Sequence, residues 1–380
     1  MCVPPIAPGR WRPHWDCGRR ARVASVRPVV PDLPSGSEVS SYELSIVVCV
    51  RDGADHLPGF FAQLRPLWAQ SYELVLVDDA STDATGSIMV AAAREFGGRL
   101  LTSERSEGLG VAQARGVAAA RGHWVWLIDC DDRFEPGAAS ALLQGAERSG
   151  ADVVVGRAVI HDLADDSKRT LDHSAAPAAY SARQATELML LGRLGGYTWN
   201  KLYRRTLFDG VDDLPLLATQ PDFCRTASAV VRSERVELID DVVYTYVRHR
   251  QTLMTHGDPP LQNLVTSRDH LRSLIASRWP TGGPSRALLR FFDGWFVALA
   301  AVHTPAQVDA SASRRAEGRR IARSFLGPGA IVTAARVRPR LAAELLLVAL
   351  VPRAYGRFVA ARAAGRNRTA GPGVAPEPRS

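Results

Sequence analysis

"LIDCDDRFEP", residues 127–136, sets Asp129, Asp131, Asp132 and Glu135 directly behind an apolar run, Trp124-Val125-Trp126-Leu127-Ile128. Like charges this close disfavour one another unless water or a cation screens them. Two explanations stand: a solvated turn or a metal site. Side chains two apart on extended chain share a face, so Asp129 and Asp131 can address one ion. Magnesium and manganese take hard oxygen ligands, commonly one or two carboxylates together with the phosphates of a substrate.

The flanking sequence supplies the fold. "LSIVVCV" (44–50) and "ELVLVDD" (73–79) are short β-branched runs of the kind that form strands buried on both faces. "RLLTSE", "HWVWLID" and "ADVVVG" predict three more strands. Helices are predicted between them. One opens at Asp55 and Pro58 and carries Phe60, Phe61, Leu64, Leu67 and Trp68 at helical spacing, with Pro66 as a kink. "STDATGSIMVAAAREF" follows with Ser81 or Thr82 as cap, then "GVAQARGVAAARG" closed by Gly122, then "EPGAASALLQGAERSG" with Pro136 at its start.

Strand and helix alternate with short loops, which predicts an α/β fold: a mostly parallel sheet with helices on both faces. In such sheets ligands lie beyond the carboxyl ends of the strands. Arg51-Asp52, Asp78-Asp79 and Asp129–Asp132 all fall there. Arg115 follows the loop Gly108-Leu109-Gly110 at a helix start, where an anion is favoured. This convergence tips the balance from a solvated turn towards a site for a cation and a phosphate-bearing ligand.

Downstream, "YSARQATELMLLG" predicts a helix, "TWNKLYRRTLF" a mixed segment, and "RVELIDDVVYTYVRHR" one or two strands. Beyond residue 260 the pattern is helical, with Leu264, Leu271, Leu274 and Ile275 on one face and Leu288, Phe292, Trp295 and Leu299 on another. The expected organisation is a disordered Pro/Arg-rich leader (1–41), a catalytic domain (42–258), a helical C-terminal region (259–365) and a disordered tail (366–380).

The net charge of +8 is uneven: arginines gather in the first 40 residues and after about residue 312. Basic ends around a more acidic centre favour an anionic partner. "RPRLAAELLLVALVPRAYGRFVAARAAGRNR" (338–368) fits an interfacial helix pair on anionic lipid, or a helix packed on the domain with a solvated basic end. Nucleic acid is not expected as a partner, because no aromatic-interleaved basic motif is present. No run approaches the ~18 apolar residues of a membrane span, and the N-terminus has no apolar signal core. The five cysteines are scattered without a C-x-x-C pair, which suits a reducing compartment. The expected location is cytoplasmic, peripheral on the inner face of the cell membrane. G-x-x-x-x-G-K-[ST], G-x-G-x-x-G after the first strand and a G-x-S-x-G elbow are all absent, which removes three other phosphate or acyl chemistries.

"SIVVCVRDGADHL", "AQSYELVLVDDASTDAT", "ARGHWVWLIDCDDRFEPGA", "GADVVVG" and "WNKLYRRTLF" occur in that order. Together they resemble the family 2 glycosyltransferases over about residues 43–255. The resemblance implies a GT-A type nucleotide-sugar-binding fold and inversion of the anomeric centre. It also implies a nucleotide-diphosphate sugar donor, Mn2+ or Mg2+, and a carboxylate base. By position, Asp79 matches the residue that binds the donor's base. Cys49 and Arg51 line the base pocket in place of the common Pro and Tyr. Arg115 matches the arginine of Ala-Arg-Asn, with Gly116 where Asn is usual. Asp129, Asp131 and Asp132 match Asp-Ser-Asp-Asp, with Asp131 on the metal and the other two on ribose or metal-bound water. Asp222 in "ATQPDFCRTA" takes the place of the base, without the family's preceding Glu; a helix N-cap is the alternative, somewhat less favoured. Trp199 and Lys201 belong either to the acceptor side or, respectively, to the core and the surface. Arg248 and His249 fall where diphosphate contacts are expected.

The implied reaction is a single in-line displacement onto a hydroxyl-bearing glycan, polyol polymer or lipid-linked acceptor. The implied setting is cell-surface polysaccharide, teichoic-acid-like polymer or glycolipid synthesis. Two alternatives remain: a catalytically inactive relative acting as a binding or scaffold protein, and another metal-dependent phosphate enzyme with Asp129 as nucleophile. The second would want Gly-Thr where Asp132-Arg133 stand.

Overall fold

The computed structural model describes residues 42–369 apart from 70, 172–174, 212–213, 216, 218–220, 249–259 and 309, and the side chains of 363–369. The expected leader and most of the expected tail lie outside the described residues. Strands β1 (Leu44–Val50), β2 (Tyr72–Asp78), β3 (Arg99–Thr102) and β4 (Trp124–Ile128) pair in parallel in the order β3-β2-β1-β4. They are joined by α1 (Leu57–Leu67), α2 (Thr85–Glu95) and α3 (Leu109–Ala119). Next come β5 (Arg133–Phe134), α4 (Ala138–Ser149), β6 (Val153–Asp162), β7 (Ser167–Leu171), β8 (Ala178–Ser181) and α5 (Ala182–Leu190). The domain then runs through β9 (Lys201–Arg204), α6 (Pro221–Arg232) and β10 (Arg235–Arg248). One ten-stranded sheet results, β3-β2-β1-β4-β9-β6-β10-β5, with β7 added beside β6 and β8 beside β10.

The sheet is mixed rather than uniformly parallel. β9 lies between β4 and β6 and runs antiparallel to both, while β6 and β10 are parallel. Alternation along each central strand buries both faces. Ile46, Val48, Leu74, Leu76, Trp126 and Ile128 pack beneath α1, α2 and α4. Val47, Val75, Val77, Val125 and Leu127 pack against α3, α5, α6 and the next helix. Each such side chain contributes about 1.5–3 kcal/mol on burial. α3 comes so close to the sheet that a Cβ on Gly116 would lie 2.5 Å from Val47 Cγ1. A side chain at this position would force Val47 or the helix to move, which favours glycine.

Several local expectations shift. Pro66 is the penultimate residue of α1, so it ends that helix rather than kinking it. The N-cap of α2 is Ala84, with no side-chain cap. Ser81 and Thr82 instead bind Asp52: its N–H donates to Ser81 Oγ (3.0 Å), and Thr82 N–H donates to its Oδ1 (2.7 Å). α3 ends before Gly122, whose N–H donates to Ser45 Oγ. α4 begins at Ala138, two residues past Pro136, and closes on Gly150 in the left-handed conformation at φ 64°. α5 carries a full capping box, Ser181 with Gln184.

The C-terminal region comprises α7 (Gln262–Arg278), α8 (Arg286–Phe292), a π-helical segment (Asp293–Leu299), α9 (Ala300–Gln307), α10 (Ala312–Phe325), α11 (Pro328–Val337), α12 (Pro339–Leu350) and α13 (Pro352–Thr369). The last helix therefore passes the expected boundary at residue 365. Phe223 of α6 packs on Phe296 with ring centroids 4.4 Å apart, and Phe296 stacks on Phe292 at 4.6 Å. The core on this face of the sheet thus continues into the helices. Arg268 and Arg272 pair with buried Asp293 at 2.7 and 2.8 Å and fix α7 to the π segment. The continuous helix Arg286–Gln307, 22 residues long, is long and apolar enough to cross a membrane by length and composition, and half of its most apolar window is buried. Its apolar run is interrupted by Arg290 and Asp293, so it reaches that length on average hydropathy rather than as an unbroken apolar stretch.

Candidate functional site

The carboxyl ends of β1, β2 and β4 bring Cys49, Asp79 and Asp129 to one edge of the sheet, and the start of α6 brings Asp222 to them. These groups influence one another's protonation. The Asp129 carboxyl is pushed well above the usual range by burial and then by Asp222, Asp132 and Asp131. The Cys49 thiol is raised by burial; Arg225 opposes this, while Asp129, Asp79 and Asp222 add to it. Burial therefore favours the neutral thiol at Cys49.

Asp222 is the second residue of α6, not its cap. Its Oδ1 accepts a hydrogen bond from Gln113 Nε2 of α3 at 2.9 Å. Burial raises its pKa, against Gln113, Arg225, Thr198 and Lys201, which favour the ionised form. A carboxylate raised in this way is a stronger base than a solvated one.

The three aspartates after β4 differ sharply. Asp131 is exposed and Asp129 half-buried. The Asp129 backbone N–H donates to the Tyr244 hydroxyl at 3.1 Å. Asp132 is 3% exposed, and its Oδ1 accepts from Val247 N–H at 2.7 Å, tying this turn to β10. Its Oδ2 is buried with no hydrogen-bond partner among the described residues. Burial and then Asp131 push the Asp132 carboxyl up to about 8. Among the described residues, no three His, Cys, Asp or Glu side chains form a ready-made metal cage. The donor set of hard, mutually repelling carboxylates fits a divalent cation that completes its coordination on a phosphate ligand and water.

Other predicted residues are engaged with a loop. Asp79 accepts from Ser106 Oγ (2.8 Å), Glu107 N–H (2.9 Å) and Gly108 N–H (3.0 Å). Arg51 donates to Ser106 Oγ at 2.9 Å. Arg115 is buried; it donates to Thr102 O at 3.0 Å and to Ser103 Oγ, and lies 3.5 Å from Glu107. Asp79, Arg51 and Arg115 therefore share the β3–α3 loop as their partner.

Trp199 is 4% exposed and stacks on Tyr244 at 4.6 Å and on Tyr197 at 5.0 Å. Lys201 is fully buried, not a surface charge; its Nζ donates to Tyr197 O and to Asn200 Oδ1 (2.8 Å). Burial pushes its pKa down to about 7, with Asp222 opposing. Arg248 pairs with Asp162 at 3.1 Å, and His249 lies outside the described residues.

Three participants went unpredicted: Gln113, Arg225 and Tyr244. Arg225 was within reach of pattern reasoning, since it sits three residues after Asp222 and shares its helix face. Tyr244 and Tyr246 alternate along β10 on the face that meets Trp199. Gln113 had no local signal.

Residues 45–211 match the family model "Glycosyl transferase family 2". The chain is 27% identical over 168 residues to "Putative glycosyltransferase EpsH" of Bacillus subtilis (strain 168), covering 44% of this chain and 48% of that protein. It is 32% identical over 113 residues to "Succinoglycan biosynthesis protein ExoO" of Rhizobium meliloti (strain 1021), covering 30% and 32%. It thus spans half or less of the length of these curated relatives. Among solved structures, S. aureus TarS 1-349 in complex with UDP-GlcNAc superposes with a TM-score of 0.63 at 14% identity, over 85% of this chain and 92% of that one. At that identity the likeness establishes the fold alone.

Proposed function

We propose that this chain, whose residues 45–211 belong to glycosyl transferase family 2, moves a sugar from a nucleotide-diphosphate donor to a hydroxyl acceptor with inversion. The observation that supports this reading is Asp222, near the start of α6, held by a 2.9 Å hydrogen bond from Gln113 of α3, the helix that leads into the aspartate-bearing strand β4. Asp222 is the base that takes the proton of the attacking hydroxyl. Its raised pKa and its fixed hydrogen bond to Gln113 suit that task. Asp131, assisted by Asp129 and Asp132, would hold Mn2+ or Mg2+. When bound, that cation supplies positive charge to the leaving diphosphate. Cys49 and the β3–α3 loop, braced by Asp79, Arg51 and Arg115, wall the nucleotide side. The TarS neighbour was solved with UDP-GlcNAc, so UDP-sugars are the first donors to test. The ExoO relative is named for succinoglycan biosynthesis, which favours a surface glycan or its lipid-linked precursor as acceptor.

The C-terminal helices are proposed to apply the chain to an anionic membrane surface from the cytoplasmic side. Between residues 312 and 369 there are thirteen arginines and two glutamates. Arg319 of α10 feels Arg353, Arg323 and Arg315 as like charges, so guanidinium groups from α10 and α13 crowd together. Beside them Leu346, Leu347, Leu350 (71% exposed), Val351 and Phe358 (56% exposed) stand out in solvent. Arginines around exposed apolar side chains match an anionic bilayer surface.

The testing experiment incubates the full chain with a panel of nucleotide sugars and Mn2+ or Mg2+, and follows nucleotide release. Release from one donor, lost in Asp222→Asn, is expected. Binding of a nucleotide without release from any donor would overturn the reading in favour of an inactive relative.

A further inference from the structure

Two buried side chains, Arg225 and Gln113, form a relay behind the proposed base. Arg225 (2% exposed) donates from Nε to Gln113 Oε1 at 3.4 Å and from Nη2 to the Gly110 carbonyl at 3.3 Å. Gln113 (3% exposed) donates from Nε2 to Asp222 Oδ1 at 2.9 Å. A guanidinium carries donors only. It therefore fixes which way the Gln113 amide faces: the carbonyl oxygen must meet Arg225, and the NH2 group must meet Asp222. The relay joins α3 to α6 across residues 109 apart in sequence. Among the described residues, Arg225 also ties α6 to α3 through the Gly110 carbonyl, and burying an arginine is costly unless its donors are used in this way.

We propose that Gln113 and Arg225 are positioning residues that hold the Asp222 carboxylate in one orientation by always presenting it with a donor. The inference rests on the base role of Asp222. One Asp222 oxygen is held by Gln113, so the carboxylate cannot swing as an unanchored side chain would. A displacement of the order of 1 Å at a reacting group costs roughly 100-fold in rate, so the anchor acts on turnover far more than on donor binding.

Gln113→Glu is the informative change. It keeps size and shape and gains an ion pair with Arg225, but it turns an acceptor towards Asp222 where a donor stood. Expected is a fall in kcat of roughly 10- to 100-fold, with KM for the nucleotide sugar within about twofold and thermal unfolding of the full chain preserved. Gln113→Met, which removes both hydrogen bonds at similar length, should show the same split. It serves as the second variant if the first fails to fold. Near-normal kcat in a folded Gln113→Glu or Gln113→Met enzyme, beside an inactive Asp222→Asn, would overturn the relay alone. Full turnover in Asp222→Asn would instead remove the base role on which it rests.

Discussion

The two ends of the parallel half-sheet carry buried carboxylates under opposite conditions. At the amino end, Glu73 is 3% exposed and faces donors and a cation rather than other carboxylates: Ser45 Oγ donates to its Oε2 at 2.7 Å, Arg121 N–H donates to the same oxygen at 2.8 Å, and Arg99 lies 3.7 Å from Oε1, which has no hydrogen bond among the described residues. At the carboxyl end, Asp129 feels Asp222, Asp132 and Asp131 as like charges, and Asp132 keeps a buried oxygen without a hydrogen-bond partner among the described residues. A carboxylate balanced by its own chain stabilises the fold. Carboxylates left to repel one another cost stability until a ligand balances them. The same carboxylate group thus faces a cation and donors at one end of the strands and like charges at the other, which is what the proposed chemistry requires.

The largest effect that would sharpen this contrast is on turnover. Asp222→Asn and Asp131→Ala should each lower nucleotide release by roughly 100- to 10,000-fold, with circular dichroism unchanged; near-normal release from either would break the contrast. Glu73→Ala should do the reverse. It should destabilise the chain by about 3 kcal/mol in urea unfolding, while folded molecules keep their turnover.

Lys201 gives a pH test. Its folded pKa of about 7 lies below the ordinary lysine value, so from pH 7 to about 10 the unfolded chain binds more protons than the folded one. Stability from this residue therefore rises across that window, by at most about 1.4 kcal/mol per pH unit. Lys201→Met should flatten the rise, and an unchanged slope would show that the ammonium is accommodated. The smallest effect concerns the periphery. Leu350→Glu with Phe358→Glu should weaken cosedimentation with anionic vesicles several-fold and leave turnover on a soluble acceptor untouched. Equal binding by the double variant, or equal binding of wild type to uncharged vesicles, would remove the membrane surface.

Much of the fold was legible because its signals are local. The runs at 44–50, 73–79 and 124–128 announce doubly buried strands, and their aspartate-bearing ends announce the ligand edge. β9 was harder: Lys201–Arg204 is bracketed by charge, and its insertion between β4 and β6 depends on packing that no window of sequence contains. The site divides in the same way. Asp129, Asp131 and Asp132 follow from spacing, as does Arg225 once Asp222 is suspected. Gln113 meets Asp222 only through the approach of α3 to α6. Asp79 and Arg115 were foreseen as residues of this edge, but their engagement with the 102–108 loop is a matter of side-chain partners that sequence does not encode locally.

The contrast between the two sheet ends is tested most directly by ligand-induced stabilisation. Thermal unfolding should be followed with and without UDP plus Mn2+ in wild type, Glu73→Ala and Asp131→Ala. A ligand bound only by the folded state raises apparent stability by mass action. The account predicts a similar upward shift in Tm for wild type and Glu73→Ala, from different starting points, and little or none for Asp131→Ala. An undiminished shift in Asp131→Ala would contradict it.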